Sequence, residues 1–83
     1  QTTAIGSGAG LNNLTGSRNT FLGFVSGLSN TTEHDNTFVG YKANGAVGIT
    51  NATAIGANAV VTASNTMVLG TNAVTVFAPG SVN

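Results

Sequence analysis

The stretch Asn51 to Ala59, Asn-Ala-Thr-Ala-Ile-Gly-Ala-Asn-Ala, recurs in five variant copies along a chain of 83 residues. Aligned on Gly6, Gly23, Gly40, Gly56 and Gly70, the residue before each glycine is aliphatic: Ile5, Leu22, Val39, Ile55 and Leu69. Three residues after each glycine stands a small side chain, at Ala9, Ser26, Ala43, Ala59 and Ala73. Three before it stand Thr3, Thr20, Thr37 and Thr53, with Met67 as the exception, and Asn19, Asn36, Asn51 and Asn65 open the last four copies. Periodic identity of this kind marks a repeat architecture, in which each unit buries its apolar face against its neighbours.

The glycine spacings are 17, 17, 16 and 14 residues. That length suits one coil of a β-solenoid and is too short for helical-repeat families. Gly, Asn, Thr and β-branched residues interrupt every helical window, so the chain reads as all-β, a solenoid of about five coils. Four side chains carry formal charge, Arg18, Glu33, Asp35 and Lys42, and they sum to zero. With 5% charged residues the surface must be made polar by Asn, Thr, Ser and Gly, which also suit tight turns. One Arg and one Lys provide no nucleic-acid footprint. No cysteine is present to form a disulfide or thiolate metal site, and no apolar run is long enough to cross a membrane as a helix.

The units lie near residues 2–18, 19–35, 36–50, 51–64 and 65–73. The first two match beyond the shared motif, with seven identities in 17 aligned positions. Strands are expected over Thr3-Ala4-Ile5 and its counterparts, and second strands or bends around Leu11, Leu28 and Val61. Residues 74–83 are expected to leave the repeat through an alternating strand, Val74 to Phe77, and a turn at Ala78-Pro79-Gly80, towards a neck or next module. The chain begins within the pattern, as a piece excised from something longer would.

Strand side chains alternate, so the residue before the glycine and the Thr two before it share a face. That face, with Ile5, Leu22, Val39, Ile55 and Leu69, is assigned to the repeat core, covered by the small residues of the second side. The opposite face carries Ala4, Phe21, Phe38, Ala54 and Val68, so both faces are apolar and both need cover. One short coil buries little apolar surface for the entropy of ordering it. The second apolar face is therefore expected to lie in the roll core or at the axis of an oligomer.

Asn51-Ala-Thr-Ala-Ile-Gly and Asn65-Thr-Met-Val-Leu-Gly resemble the Asn-Ser-Val-Ala-Ile-Gly head repeat of trimeric autotransporter adhesins. Asn19-Thr-Phe-Leu-Gly and Asn36-Thr-Phe-Val-Gly-Tyr-Lys-Ala are similar to a variant found in tail-fibre-like proteins of phages and of environmental or predatory bacteria. The resemblance spans residues 2 to about 73 and implies a left-handed parallel β-roll assembled as a homotrimer. It further implies an extracellular place, on a bacterial surface fibre or phage tail fibre, and a non-enzymatic role in adhesion or as a spacer. The implied partners are the chain itself and a glycan or protein on a target surface, without nucleic acid, membrane insertion by this segment, or cofactor. Two units depart from the family pattern by a one-residue-shorter interval from Asn to Gly.

Glu33-His34-Asp35 is the one cluster of ionisable groups. Consecutive residues in a turn point in different directions and do not make up a metal-ligand set or an acid–base pair, so it reads as a solvated loop. Gly6-Ser-Gly-Ala-Gly10 lacks the helix and glycine spacing of a phosphate loop. Ile-Gly-x-x-Ala matches the hexapeptide repeat of β-helix acyltransferases, but the hexad fails: twelve residues after Leu22 stands His34. The Thr ladder stops at Met67 and lacks the paired threonines of an ice-binding array. The expected contact regions are the spacers 31–35, with Glu33, His34 and Asp35, and 44–49, together with Arg18, Tyr41 and Lys42 as larger polar side chains.

Overall fold

The computed structural model describes residues 1–80; the end of the expected terminal segment, 81–83, lies outside them. All regular structure among these is β. Strands β1 (Thr2–Ile5), β2 (Asn19–Leu22), β3 (Thr37–Val39), β5 (Thr53–Ile55) and β7 (Met67–Leu69) form one five-stranded sheet. Strands β4 (Asn44–Gly45) and β6 (Val60–Val61) form a second, two-stranded sheet. Every pairing is parallel. The register is that of the sequence repeat: Thr3, Thr20, Thr37, Thr53 and Met67 stack, as do Ile5, Leu22, Val39, Ile55 and Leu69. The chain is a β-solenoid whose five stacked strands delimit four turns.

The glycines end the strands for two reasons that act together. Gly6, Gly23, Gly40 and Gly56 have φ between 119° and 133°, where side chains are strained. A Cβ on Gly23 would also stand 2.6 Å from the carbonyl oxygen of Gly40, and one on Gly40 would stand 2.7 Å from the backbone of Gly56. From Gly23 onward each repeat glycine N–H donates to the carbonyl of the preceding coil's aliphatic residue, as from Gly40 to Leu22 at 2.7 Å. A turn follows, in which the small residue's N–H donates back to the glycine carbonyl, from Ala9, Ser26, Ala43 and Ala59 at 3.1 to 3.3 Å. Ser26, Ala43 and Ala59 are fully buried, as their size predicts.

The aliphatic face assigned to the repeat core points outward instead, and the second apolar face takes the roll core, one of its two expected places. Phe21, Phe38 and Ala54 point into the roll and are buried, while Ile5, Leu22, Ile55 and Leu69 point out and are exposed, with Val39 half-buried. Val68 is partly buried against the core and Ala4, in the end coil, is exposed. The reason is visible across the core. The Phe21 ring lies between Gly10 and Gly27, where a Cβ would come within 2.5 and 2.3 Å of it. Gly45 faces Phe38 at 2.7 Å by the same construction, and where the strand residue shrinks to Ala54 the second side supplies buried Val61. Large opposes small in these three coils, which fills a core of constant thickness. Phe21 and Phe38 stack with centroids 5.9 Å apart.

Around Leu11 and Leu28 the second side takes the bends rather than the strands that the sequence allowed, for the same reason. The backbone forms turns there, because Gly10 and Gly27 adopt φ of 62° and 70° beside the Phe21 ring. Regular second strands appear in the third and fourth units alone, where β4 and β6 pair. In the third unit's spacer Ile49 is buried and Val47 is exposed. Beyond Gly70 no strand forms over residues 74–77; Val74 instead donates its N–H to Thr71 and packs beneath Gly70.

Candidate interaction surfaces

The asparagines that open the repeats have two structural roles, and this accounts for the shorter interval in two units. Asn19 and Asn36, four residues before their glycines, point inward and are buried. The Asn19 Oδ1 accepts from the Asn36 N–H at 2.9 Å, and the Asn36 Oδ1 accepts from the Ala52 N–H at 3.0 Å. Their amide groups donate to the carbonyls of Glu33 and Ile49 at 2.8 and 3.0 Å. Asn13 and Asn30 extend this polar ladder, and no buried side-chain polar atom among the described residues lacks a partner. Asn51 and Asn65, five before their glycines, instead occupy an exposed left-handed corner at φ 52° and 57°. Arg18 and Asp35 hold that corner in the earlier coils, at φ 56° and 62°.

The ionisable cluster is divided between the interior and this corner. Glu33 is buried, and its carboxylate accepts from the N–H groups of Thr31, Thr32 and Gly48 at 2.7, 2.9 and 2.6 Å. Burial opposes its ionisation, but these backbone donors together outweigh that and lower its pKa to about 2. Glu33 thus ties the second spacer to the third, and its expected role as a surface contact is corrected. Asp35 lies half-exposed between two partners, with Arg18 Nε at 2.7 Å and His34 Nδ1 at 2.7 Å. The hydrogen bond from Arg18, then that from His34, holds the Asp35 carboxyl well below the usual carboxylate range. Among the described residues no three His, Asp or Glu side chains converge as metal ligands.

Two further surfaces lie outside these clusters. On the outer face of the large sheet, Ile5, Leu22, Ile55 and Leu69 are 60, 43, 39 and 45% exposed, in one row flanked by the threonines and Met67. At the corner after the glycines, Phe24 and Tyr41 stack with centroids 5.6 Å apart and an interplanar angle of 12°. The Lys42 Nζ lies 5.3 Å from the centre of the Tyr41 ring. No family of known proteins, curated relative or solved structure matches the chain. No helix among the described residues is long and apolar enough to cross a membrane.

Behind that corner a groove of about 430 Å³ is lined by Val25, Leu28, Lys42, Asn44, Asn58 and Val60. Sequence reasoning reached Tyr41 and Lys42 but missed Phe24 and the groove. The available signal was spacing: Phe24 and Tyr41 both directly follow a repeat glycine, and Val25, Lys42 and Asn58 all stand two residues after one. Residues at one repeat position stack in adjacent coils, so aromatic neighbours at that position were predictable.

Proposed function

We propose that the chain is a non-enzymatic segment of a trimeric extracellular fibre, a left-handed β-roll that packs between copies through its outer strand face. The row of exposed Ile5, Leu22, Ile55 and Leu69 with half-buried Val39 carries this reading, since soluble monomers rarely leave so continuous an apolar strip in water. The near absence of charge on the chain supports it further, because a monomer of this composition has little to keep it dispersed. This reading keeps the expected partner surface but moves it from the phenylalanine face, which is buried in the roll, to the aliphatic one. In this reading the fibre belongs to a bacterial surface or a phage tail, and the corners and spacers facing away from the axis meet a glycan or protein on the target.

A spacer role is the second reading. It is favoured by how fully the polar loops satisfy themselves, Glu33 on backbone N–H groups and Arg18 and His34 on Asp35. Sedimentation equilibrium tests the assembly: a folded species of about 8 kDa in dilute solution would defeat it. Binding of the isolated assembly to glycan arrays and to cells separates adhesion from spacing.

A further inference from the structure

We propose that the groove beside the Phe24–Tyr41 stack binds a monoanionic saccharide, a uronic acid unit of a surface polysaccharide. The inference deepens the adhesive reading and rests on it for its biological setting.

The groove crosses the second, third and fourth coils, on the far side of the core from the aliphatic row, so packing through that row leaves it open. Its volume, about 430 Å³, lies in the range of small-ligand sites. Val25, Leu28 and Val60 give it an apolar wall, and Lys42 and Asn58 bring exposed polar groups. Among the described residues the ion pairs are Arg18 with Asp35 and His34 with Asp35, which leaves Lys42 without a carboxylate. A pyranose presents a C–H face to such a wall, hydroxyls to an amide, and in a uronate one carboxylate to one ammonium.

The alternatives fit less well. A phosphate or a run of sulfates would leave negative charge uncompensated beside one lysine. A peptide adding as a strand needs a free row of backbone groups. Here β4 and β6 pair with each other, with Asn44 N–H on Ala59 and Ala46 N–H on Val61, each at 2.9 Å, so a peptide could add only at an outer edge of this two-stranded sheet. Val25 adds an independent mark. It is a β-branched residue at φ 57°, at a corner held in the other coils by Gly8, Lys42 and Asn58. Backbone strain of that kind gathers at binding sites.

The test uses the isotope-labelled chain, followed by amide chemical shifts during titration with methyl glucuronide, with methyl glucoside as the neutral control. Saturable shifts are expected at Lys42, Asn58 and Val60 with the glucuronide, weakening at high ionic strength. Lys42→Gln should weaken binding at least about tenfold, and Val60→Glu, which places a negative charge in the groove, should abolish it. Both positions are exposed, so the unchanged remaining spectrum checks the fold. Absence of shifts, equal affinity for the neutral sugar, or binding indifferent to Lys42→Gln would overturn the proposal. So would saturation of the same amides by an acidic peptide with no response to the sugar. Retention on an immobilised uronate polysaccharide, compared between the assembly and a Leu22→Asp form, reads multivalency separately. Monovalent shifts without retention would sink the adhesive reading and leave the groove assignment standing, and retention without shifts would do the reverse.

Discussion

Phe38→Ala and Gly45→Val, made singly and together, test whether the roll is held at constant thickness by pairing large with small across its core. Phe38 lies beside Ala54 in the large sheet, and Gly45 beside Val61 in the small one, so the double variant gives the third coil the contents of the fourth. Phe38→Ala alone empties a fully enclosed ring site and should cost about 3–5 kcal/mol. Gly45→Val alone drives a Cβ to 2.7 Å from the Phe38 ring tip and 3.0 Å from Ile49 Cδ1, an overpacking worth about 1–3 kcal/mol. Independent effects would sum to about 4–8 kcal/mol. The double variant should lose only about 3 kcal/mol or less, because valine refills the space the ring vacates. What it cannot restore is the Phe21–Phe38 stack, worth about 0.5–1.5 kcal/mol. Urea unfolding followed by circular dichroism at one fixed protein concentration measures all four corners of the cycle. A double variant as unstable as the sum of the singles would refute the pairing.

Three other outcomes follow from the polar ladder, the Glu33 latch and the outer face. Asn36→Ala should cost about 2–4 kcal/mol, because the Ala52 N–H and Ile49 carbonyl are left buried and unpaired, whereas Asn51→Ala should cost about 1 kcal/mol; equal losses in thermal unfolding would remove the distinction between the two asparagine positions. Glu33 has a folded pKa below its unfolded one, so its contribution is complete above the unfolded value and is lost as pH falls from about 5 towards 2. Glu33→Gln should lose about 2–3 kcal/mol at neutral pH and flatten that acid limb, and an unchanged limb in a pH series of melts would exclude the latch. Ile55→Asp, on the outer row, should dissociate the assembly in sedimentation while the spectrum of the folded coil survives; unfolding of the coil at every concentration would mean that the residue serves the roll's own core.

The period, the strands of the large sheet and their register could be read from residues alone, because a parallel solenoid places equivalent positions side by side and so writes its register into the repeat. Which face turned inward was harder. Both were apolar, and period-two alternation gives the partition without its direction. The deciding information was nonetheless present as a correlation of size within each coil: Phe21 with Gly27, Phe38 with Gly45, Ala54 with Val61. The asparagines gave a second clue, since a residue four before the glycine shares a face with the phenylalanine and can serve the interior only if loop carbonyls meet it. Those carbonyls belong to irregular spacers, whose paths no local pattern fixes. For the same reason Glu33 resembled a solvated charge until Thr31, Thr32 and Gly48 were seen to converge on it.

The Phe21 ring also constrains how such a chain grows in evolution. It rests on a glycine of its own coil and on Gly10 of the coil before, so a phenylalanine-bearing unit is compatible with some predecessors and not with others. A copy of the second unit placed after the fourth would meet the buried side chain of Val61, which fills core space of the kind that the ring finds vacant at Gly10. Duplication in this lineage is therefore directional: units can be multiplied in blocks that keep a ring next to its glycines, and shuffling them singly should yield chains that do not close.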